Sequence, residues 1–233
     1  METHLNYYRR WGRLAKPYFE WQFQQLAPYL GNRVADVGCG LGNFVGLLKN
    51  KELYFGLEPD EELAAEFRAN QSSGNIQIAS NGDITGEPIV QELRDHRIDS
   101  VICVNVLEHI KDDKTAMAHL VNGVTKGGHI CILVPALACL YGTIDRFDGH
   151  HRRYSKKSLL ALTNGLAVKV VDLYYMNFIG MFGWFIKGRI LKSESCRDGD
   201  YKAMNRILPI MARLEKWIRP PAGMSLVMIL RKE

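Results

Sequence analysis

Val34-Ala-Asp-Val-Gly-Cys-Gly-Leu-Gly42 is the stretch that decides the fold. A short apolar run carries Asp36 near its end and passes into glycines at 38, 40 and 42. Phe44, Val45, Leu47 and Leu48 follow with helical spacing, which predicts a helix near 42–50. Glycine tolerates positive φ and lacks Cβ, so the backbone can turn sharply and come close to a ligand. A strand, a glycine turn and a helix start together make a nucleotide-binding corner of an α/β sheet.

The spacing restricts the nucleotide. The dinucleotide fingerprint G-x-G-x-x-G fails, because Asn43 stands where its last glycine belongs. The phosphate loop G-x-x-x-x-G-K-[ST] is absent as well. The form found, G-x-G-x-G with an acid just ahead, resembles motif I of the class I S-adenosylmethionine (SAM) dependent methyltransferases.

Three further elements follow in the order that resemblance requires. Leu53-Tyr-Phe-Gly-Leu-Glu-Pro-Asp60 reads as a strand ending in Glu58, twenty residues after Gly38. An acid at that distance suits two ribose hydroxyls. Asp60 fits a helix N-cap better. Asn81-Gly-Asp-Ile84 follows a strand-like 76–80. The resemblance implies that Asp83 receives the adenine amine and that the Ile84 backbone meets the ring, although the same residues also make an ordinary turn. Ile98 to Ile110 is nearly continuous in apolar residues, as in a strand covered on both faces, and ends in Asn105-Val-Leu-Glu-His109. That end resembles the "xxLEH" segment of small-molecule methyltransferases and implies Asn105 beneath the methionine part of SAM. Glu108 and His109 are open to a structural role in the loop.

The rest of the chain supplies the architecture. Strands at 33–37, 53–57, 76–80, 98–104 and 129–134 alternate with helices at 60–70, 87–95 and 112–125, which argues for a parallel sheet. Strand six is read at 166–175 and strand seven at 224–230. The expected fold is α/β and Rossmann-like: seven strands, mostly parallel with the last antiparallel, and helices on both faces. The family resemblance is specific over 30–135 and architectural elsewhere. The chain, 1–233, is read as a single domain. Residues 1–30 form a helical lid, where Tyr7, Tyr8 and Trp11 either reach the site or pack. Residues 176–222 form a substrate-side insertion, with a helix near 203–218 that Pro209 enters in an early turn or kinks.

Tyr141-Gly-Thr-Ile-Asp-Arg-Phe-Asp-Gly-His-His-Arg-Arg-Tyr154 is the second unusual segment. It resembles the D-x-x-x-G-H-x-R-R-Y stretch of a methyltransferase subgroup, with Asp145, Gly149, His150, Arg152, Arg153 and Tyr154 as the matching residues. Methyl transfer from a sulfonium is an in-line displacement, and orienting its partners is worth up to ~7–11 kcal/mol. A hydroxyl acceptor must also lose its proton, and histidine is the natural base near neutral pH. His150 is the leading base and His151 the second; Arg152, Arg153 and Tyr154 are the candidate substrate-binding residues. The competing reading is a salt-bridge knot in which Asp145 and Asp148 hold the arginines.

Composition excludes little else. A formal charge of +5 suits an anionic partner without demanding nucleic acid. Five cysteines without metal-ligand spacing predict reduced thiols, no metal site and a cytoplasmic protein. The first residues lack the apolar core of a signal peptide, and no apolar run reaches the ~20 residues that span a bilayer. Residues 178–192, aromatic with Lys187, Arg189 and Lys192, are a candidate peripheral membrane contact. Asn105-Val-Leu-Glu lacks the (N/D)-P-P-(Y/F) segment of amino-group DNA methyltransferases, and Cys139 lacks the neighbours of an RNA-methylating cysteine. The expectation is a SAM-dependent methyltransferase acting on a small molecule at oxygen (a secondary metabolite, saccharide or isoprenoid-like lipid), with S-adenosylhomocysteine as product and no nucleic-acid partner. The alternatives are a nucleic-acid methyltransferase and a SAM-binding partner protein without activity.

Overall fold

The computed structural model describes residues 3–71, 74–79 and 82–233. The strands are β1 (Arg33–Val37), β2 (Leu53–Leu57), β3 (Ile76–Ile78), β4 (Ser100–Val104), β5 (His129–Pro135), β6 (Val168–Met176) and β7 (Ser225–Lys232). They form one sheet in the order β3-β2-β1-β4-β5-β7-β6. β1 to β5 pair in parallel, and β7 runs antiparallel between β5 and β6. The expected seven strands with an antiparallel last one are therefore found. β3 is shorter than expected, and Ser80 and Asn81, part of the strand end and turn expected there, lie outside the described residues.

Helices cover both faces because nearly every residue of the central strands is buried. The helices are α1 (His4–Leu14), α2 (Lys16–Leu26), α3 (Glu61–Asn70), α4 (Pro88–Asp95), α5 (Asp113–Gly123), α6 (Thr143–Phe147), α7 (Lys156–Ala161), α8 (Phe178–Phe185) and α9 (Asp198–Trp217). Ala35, Val37, Phe55, Val101 and Ile132 pack with Ile89 and Leu93 of α4, Met117 and Leu120 of α5, and Leu159 of α7. The alternate residues Val34, Tyr54, Ile102 and Leu133 pack with Phe19 and Leu26 of α2, Phe67 of α3, and Leu208 and Met211 of α9. Successive strand side chains point to opposite faces, so this division follows from the period of two. Asp60 caps α3 by accepting from the Glu62 and Leu63 N–H groups, and Ser155 caps α7.

Three element readings change. The helix expected near 42–50 is a series of turns with a short 3-10 helix at Val45–Leu47. Gly42 sits at φ +83°, Gly46 disfavours a helix interior, and β2 begins at Leu53. Phe44 stacks on Phe23 with ring centroids 5.9 Å apart, so α2 covers the sheet where that helix would lie. α9 begins at Asp198, ahead of the expected 203, and carries Pro209 in its interior. The loop 141–154 contains the short helix α6. Among the described residues no helix is long and apolar enough to cross a membrane.

Candidate active site

The strand order reverses between β1 and β4, so their carboxyl ends splay and open a crevice, the position where open α/β sheets bind ligands. The glycine corner leaves β1 at this point and the Asn105–His109 turn leaves β4 beside it. Gly38 is at φ +66°, and a Cβ there would lie 2.5 Å from Val106 Cγ2, so the close approach of the two turns requires glycine. The Gly38 and Cys39 N–H groups donate to Leu57 O, which ties the corner to the end of β2.

Glu58 closes the corner. Its Oε2 accepts from the Gly40 N–H at 2.8 Å and its Oε1 from the Asp60 N–H at 3.0 Å. Each carboxylate oxygen keeps a further acceptor site for a ribose hydroxyl. A Cβ on Gly82 would fall 2.2 Å from Glu58 N, so the segment bearing Asp83 and Ile84 lies against the Glu58 backbone. Asp83 is exposed and accepts from the Thr85 N–H and hydroxyl; Ile84 is buried, with its carbonyl 2.8 Å from His119 Nδ1. Asn105 takes a left-handed conformation, φ +53°, and its N–H donates to Leu133 O at 2.8 Å. These residues thus meet at one sheet edge.

Asp36 sits differently. Its side chain is buried on the α2 and α3 face, where Oδ2 accepts from the Tyr54 hydroxyl at 2.6 Å. Burial pushes its carboxyl up to about 7, against the lowering effect of Tyr54, and Glu58 adds to the rise. Asp36 braces the corner from beneath.

α1 lies across this edge. The Tyr8 ring is 3.8 Å from where a Gly40 Cβ would be. Its phenol is pushed up by burial and then by the charges of Glu58, Asp60 and Asp148. Tyr7 is pushed up to about 12 by burial and by Asp148. α1 is held down by Arg9, which meets Glu66 of α3 at 2.6 Å. The first helix therefore bridges the glycine corner and the 141–154 segment, and its two tyrosines join the site. Periodicity alone reads them as packing residues.

The 141–154 segment is built around Asp145, which is fully buried. Asp145 Oδ1 faces His150 Nδ1 at 3.0 Å and accepts from Arg153 Nε at 2.7 Å. Oδ2 accepts from the Gly142 N–H at 2.9 Å and from Trp184 Nε1 at 3.3 Å. Burial opposes the charge of Asp145, but these partners prevail and hold its carboxyl down at about 2. The carboxylate is therefore ionised, so His150 Nδ1 carries the proton and Nε2 is left as the acceptor. The Tyr141 hydroxyl donates to His150 O and fixes the backbone there.

Arg153, Arg152 and Tyr154 are committed within the protein. Arg153 lies 5.1 Å from the centre of the Trp184 ring and donates to Ala136 O as well as to Asp145. The Tyr154 hydroxyl donates to Asp113 Oδ2 at 2.8 Å, and burial and that contact raise its pKa strongly. Arg152, half-buried, pairs with the same Asp113 oxygen and donates to Lys111 O. His151 is exposed, and its N–H donates to Glu108 O at 2.8 Å. That bond fastens the 141–154 segment to the turn after β4. Glu108 is fully buried with no hydrogen-bond partner on either carboxylate oxygen among the described residues. Burial lifts its carboxyl to about 7, against the pull of His150 and Arg153. The His109 ring, itself exposed, meets His150 edge-on at 4.6 Å between centroids.

The insertion supports this segment from outside. A Cβ on Gly142 would fall 2.6 Å from Gly188 O, and Trp184 reaches Asp145. No sequence pattern signals that role for Trp184. The opposite side of the insertion exposes Phe182, Phe185, Ile186, Ile190 and Leu191.

The match to known proteins follows the same edge of the sheet. A methyltransferase-domain family matches residues 35–132, from β1 through most of β5. A SAM-dependent methyltransferase from Archaeoglobus fulgidus superposes with a TM-score of 0.64 at 15% identity, over 97% of this chain and 99% of that one. The chain has the class I SAM-dependent methyltransferase fold. A tRNA U34 carboxymethyltransferase of Haemophilus influenzae (strain PittGG) is 28% identical over 156 residues, 64% of this chain and 48% of the relative. A ubiquinone biosynthesis O-methyltransferase of Alkalilimnicola ehrlichii is 30% identical over 111 residues, 46% of this chain and 43% of that protein. The chain thus spans about half the length of the curated relatives it matches. The expectation of no nucleic-acid partner is corrected by this finding: several of the relatives are, by name, tRNA-modifying enzymes.

Proposed function

We propose that this protein transfers the methyl group of SAM to an oxygen nucleophile carried by RNA, with His150 as the general base. The observation that carries the reading is the Asp145–His150 pair, buried beside the cofactor edge with Nδ1 held and Nε2 open. In this reading Gly38, Gly40 and Gly42 let the backbone approach the cofactor, and Glu58 takes the ribose hydroxyls. Asp83 and the Ile84 backbone hold the adenine, and Asn105 lies beneath the methionine end. Asp36 keeps the corner in shape through Tyr54. The acceptor hydroxyl gives its proton to His150 Nε2 as its oxygen attacks the methyl carbon in line, and the sulfonium leaves as the neutral thioether of S-adenosylhomocysteine. A positioned base of this kind contributes roughly 10²–10⁴-fold. His151 is the second choice, and its exposure suits contact with substrate instead. Arg153 and Tyr154 act as positioning residues, and Arg152, held by Asp113 and the Lys111 carbonyl, acts with them.

The RNA acceptor is supported by the tRNA U34 carboxymethyltransferases among the relatives. It is also supported by charge: Arg13, Lys16, Lys202, Arg206 and Arg213 are exposed on α1, α2 and α9, helices in mutual contact beside the glycine corner. The relative named for ubiquinone biosynthesis favours a second reading, an apolar hydroxy-aromatic acceptor. Offering methyl-labelled SAM with RNA and with hydroxy-aromatic compounds separates the two. Label in RNA that depends on His150 supports the first; label in the aromatic pool alone refutes it.

A further inference from the structure

We infer that Glu108, His109 and His150 form a binding site for one divalent transition-metal ion of the zinc class. The side chains offer one ligand atom each, all within 4.8 Å of one another. Two imidazoles and a carboxylate are a donor set that suits zinc and its neighbours, with a position left open for a further ligand.

The strongest observation is Glu108. Its carboxylate is fully buried, and neither oxygen meets a hydrogen-bond donor among the described residues. A buried carboxylate left without partners costs several kcal/mol, and a cation between it and the histidines removes that cost. The second observation is the shell behind His150. Asp145 Oδ1 holds Nδ1 at 3.0 Å, while Arg153, the Gly142 N–H and Trp184 fix Asp145 in turn. A carboxylate on the far nitrogen of a ligating histidine sets the tautomer and aims the other nitrogen at the metal. The third is rigidity. His109 and Glu108 leave β4 in one tight turn, and the His151 N–H to Glu108 O bond ties that turn to the segment bearing His150. The donors are therefore brought together by the fold before any ion arrives. The His4, Asp60 and Glu62 group is the contrasting case: its members are exposed or half-buried and lack a buried donor without partners.

An ion here would occupy Nε2 of His150 and set its charge beside the acceptor oxygen, favouring the deprotonated hydroxyl. His150 would be the base in the metal-free protein and a ligand in the loaded one, where the ion would take over the task of lowering the acceptor's proton affinity. The inference stands on the donor geometry and holds whichever acceptor is methylated.

The test is a cobalt titration of chelator-stripped protein followed by visible absorption, with zinc as competitor. One ion per chain is expected, with the intense ligand-field bands of a four- or five-coordinate site, displaced by zinc. Glu108→Gln and His150→Asn should each weaken binding about tenfold or more. His4→Ala should leave it unchanged. X-ray absorption on the zinc-loaded wild-type protein should show two imidazole ligands, a readout that needs no variant to fold. No cobalt bands, binding unaffected by Glu108→Gln and His150→Asn, or binding lost in His4→Ala would each overturn the site. SAM calorimetry on the stripped protein is read separately, so failure of the metal site and failure of the methyltransferase reading are distinguishable.

Discussion

Replacing Asp145 with asparagine should destabilise the protein severely. Asn keeps the volume but has one acceptor oxygen in place of two, so an oxygen facing His150 Nδ1 and Arg153 Nε turns its NH2 group towards the Gly142 N–H and Trp184 Nε1, and the charge is lost. Arg153 is then left as a cation whose side chain is 1% exposed, with Ala136 O and the Trp184 ring as its remaining neighbours. Stripping one partner from a buried pair costs about 3–5 kcal/mol, roughly a fifth or more of the stability of an ordinary domain. Trp184 and Gly142 also touch Asp145, so the docking of the insertion should loosen with it. Urea unfolding followed by circular dichroism measures the loss. The double variant Asp145→Asn/Arg153→Met removes both charges and should recover most of it. A single variant within about 1 kcal/mol of wild type, or a double variant no more stable than the single, would refute the claim that this pair holds the segment.

Glu58→Ala should weaken SAM roughly 100-fold or more by calorimetry, because two charge-assisted bonds of about 1.5–3 kcal/mol each disappear; unchanged affinity would remove the ribose assignment. Asp36 sets a pH dependence. Its carboxyl is raised in the fold from 3.8 to about 7, so the folded state holds a proton that the unfolded chain releases. Its contribution is fully present below pH 4 and is lost as pH rises through 7, on the order of 4 kcal/mol from about three pH units at ~1.4 each. Asp36→Asn keeps an acceptor for Tyr54 and should raise the melting temperature relative to wild type at pH 8, with the gap closing towards pH 5. A gap that grows on acidification would contradict the burial argument.

The sheet was legible because its signals are local. Apolar runs bounded by glycine and acid give β1, β2, β4 and β5 nearly residue for residue, and Asp60 and Ser155 announce their helices by capping chemistry. The helix after the glycine corner was misread because Phe44, Val45 and Leu48 have helical spacing, yet α2 already covers that face and takes them as packing partners. The candidate site was legible in part. Gly38, Glu58 and Asn105 come to one edge, as their order along the chain implies. Asp36 turns inward because strand alternation aims it at Tyr54, a contact eighteen residues away that spacing does not reveal. Arg153 and Tyr154 look like a substrate clamp in sequence, and only the fold brings Asp145 and Asp113 to them. Trp184 comes from an insertion with no motif, and the buried Glu108 is recognisable only once its missing partners are counted.

In the proposed reaction His150 deprotonates an oxygen acceptor on RNA for attack on SAM. The most direct measurement is incubation of wild-type and His150→Ala protein with methyl-labelled SAM and RNA, followed by nuclease digestion and mass spectrometry of the nucleosides. The prediction is one O-methylated nucleoside made by wild type, with the rate reduced roughly 10²–10⁴-fold in His150→Ala while SAM binding persists. Label confined to small hydroxy-aromatic acceptors, or O-methylated RNA formed equally well by His150→Ala, would contradict it.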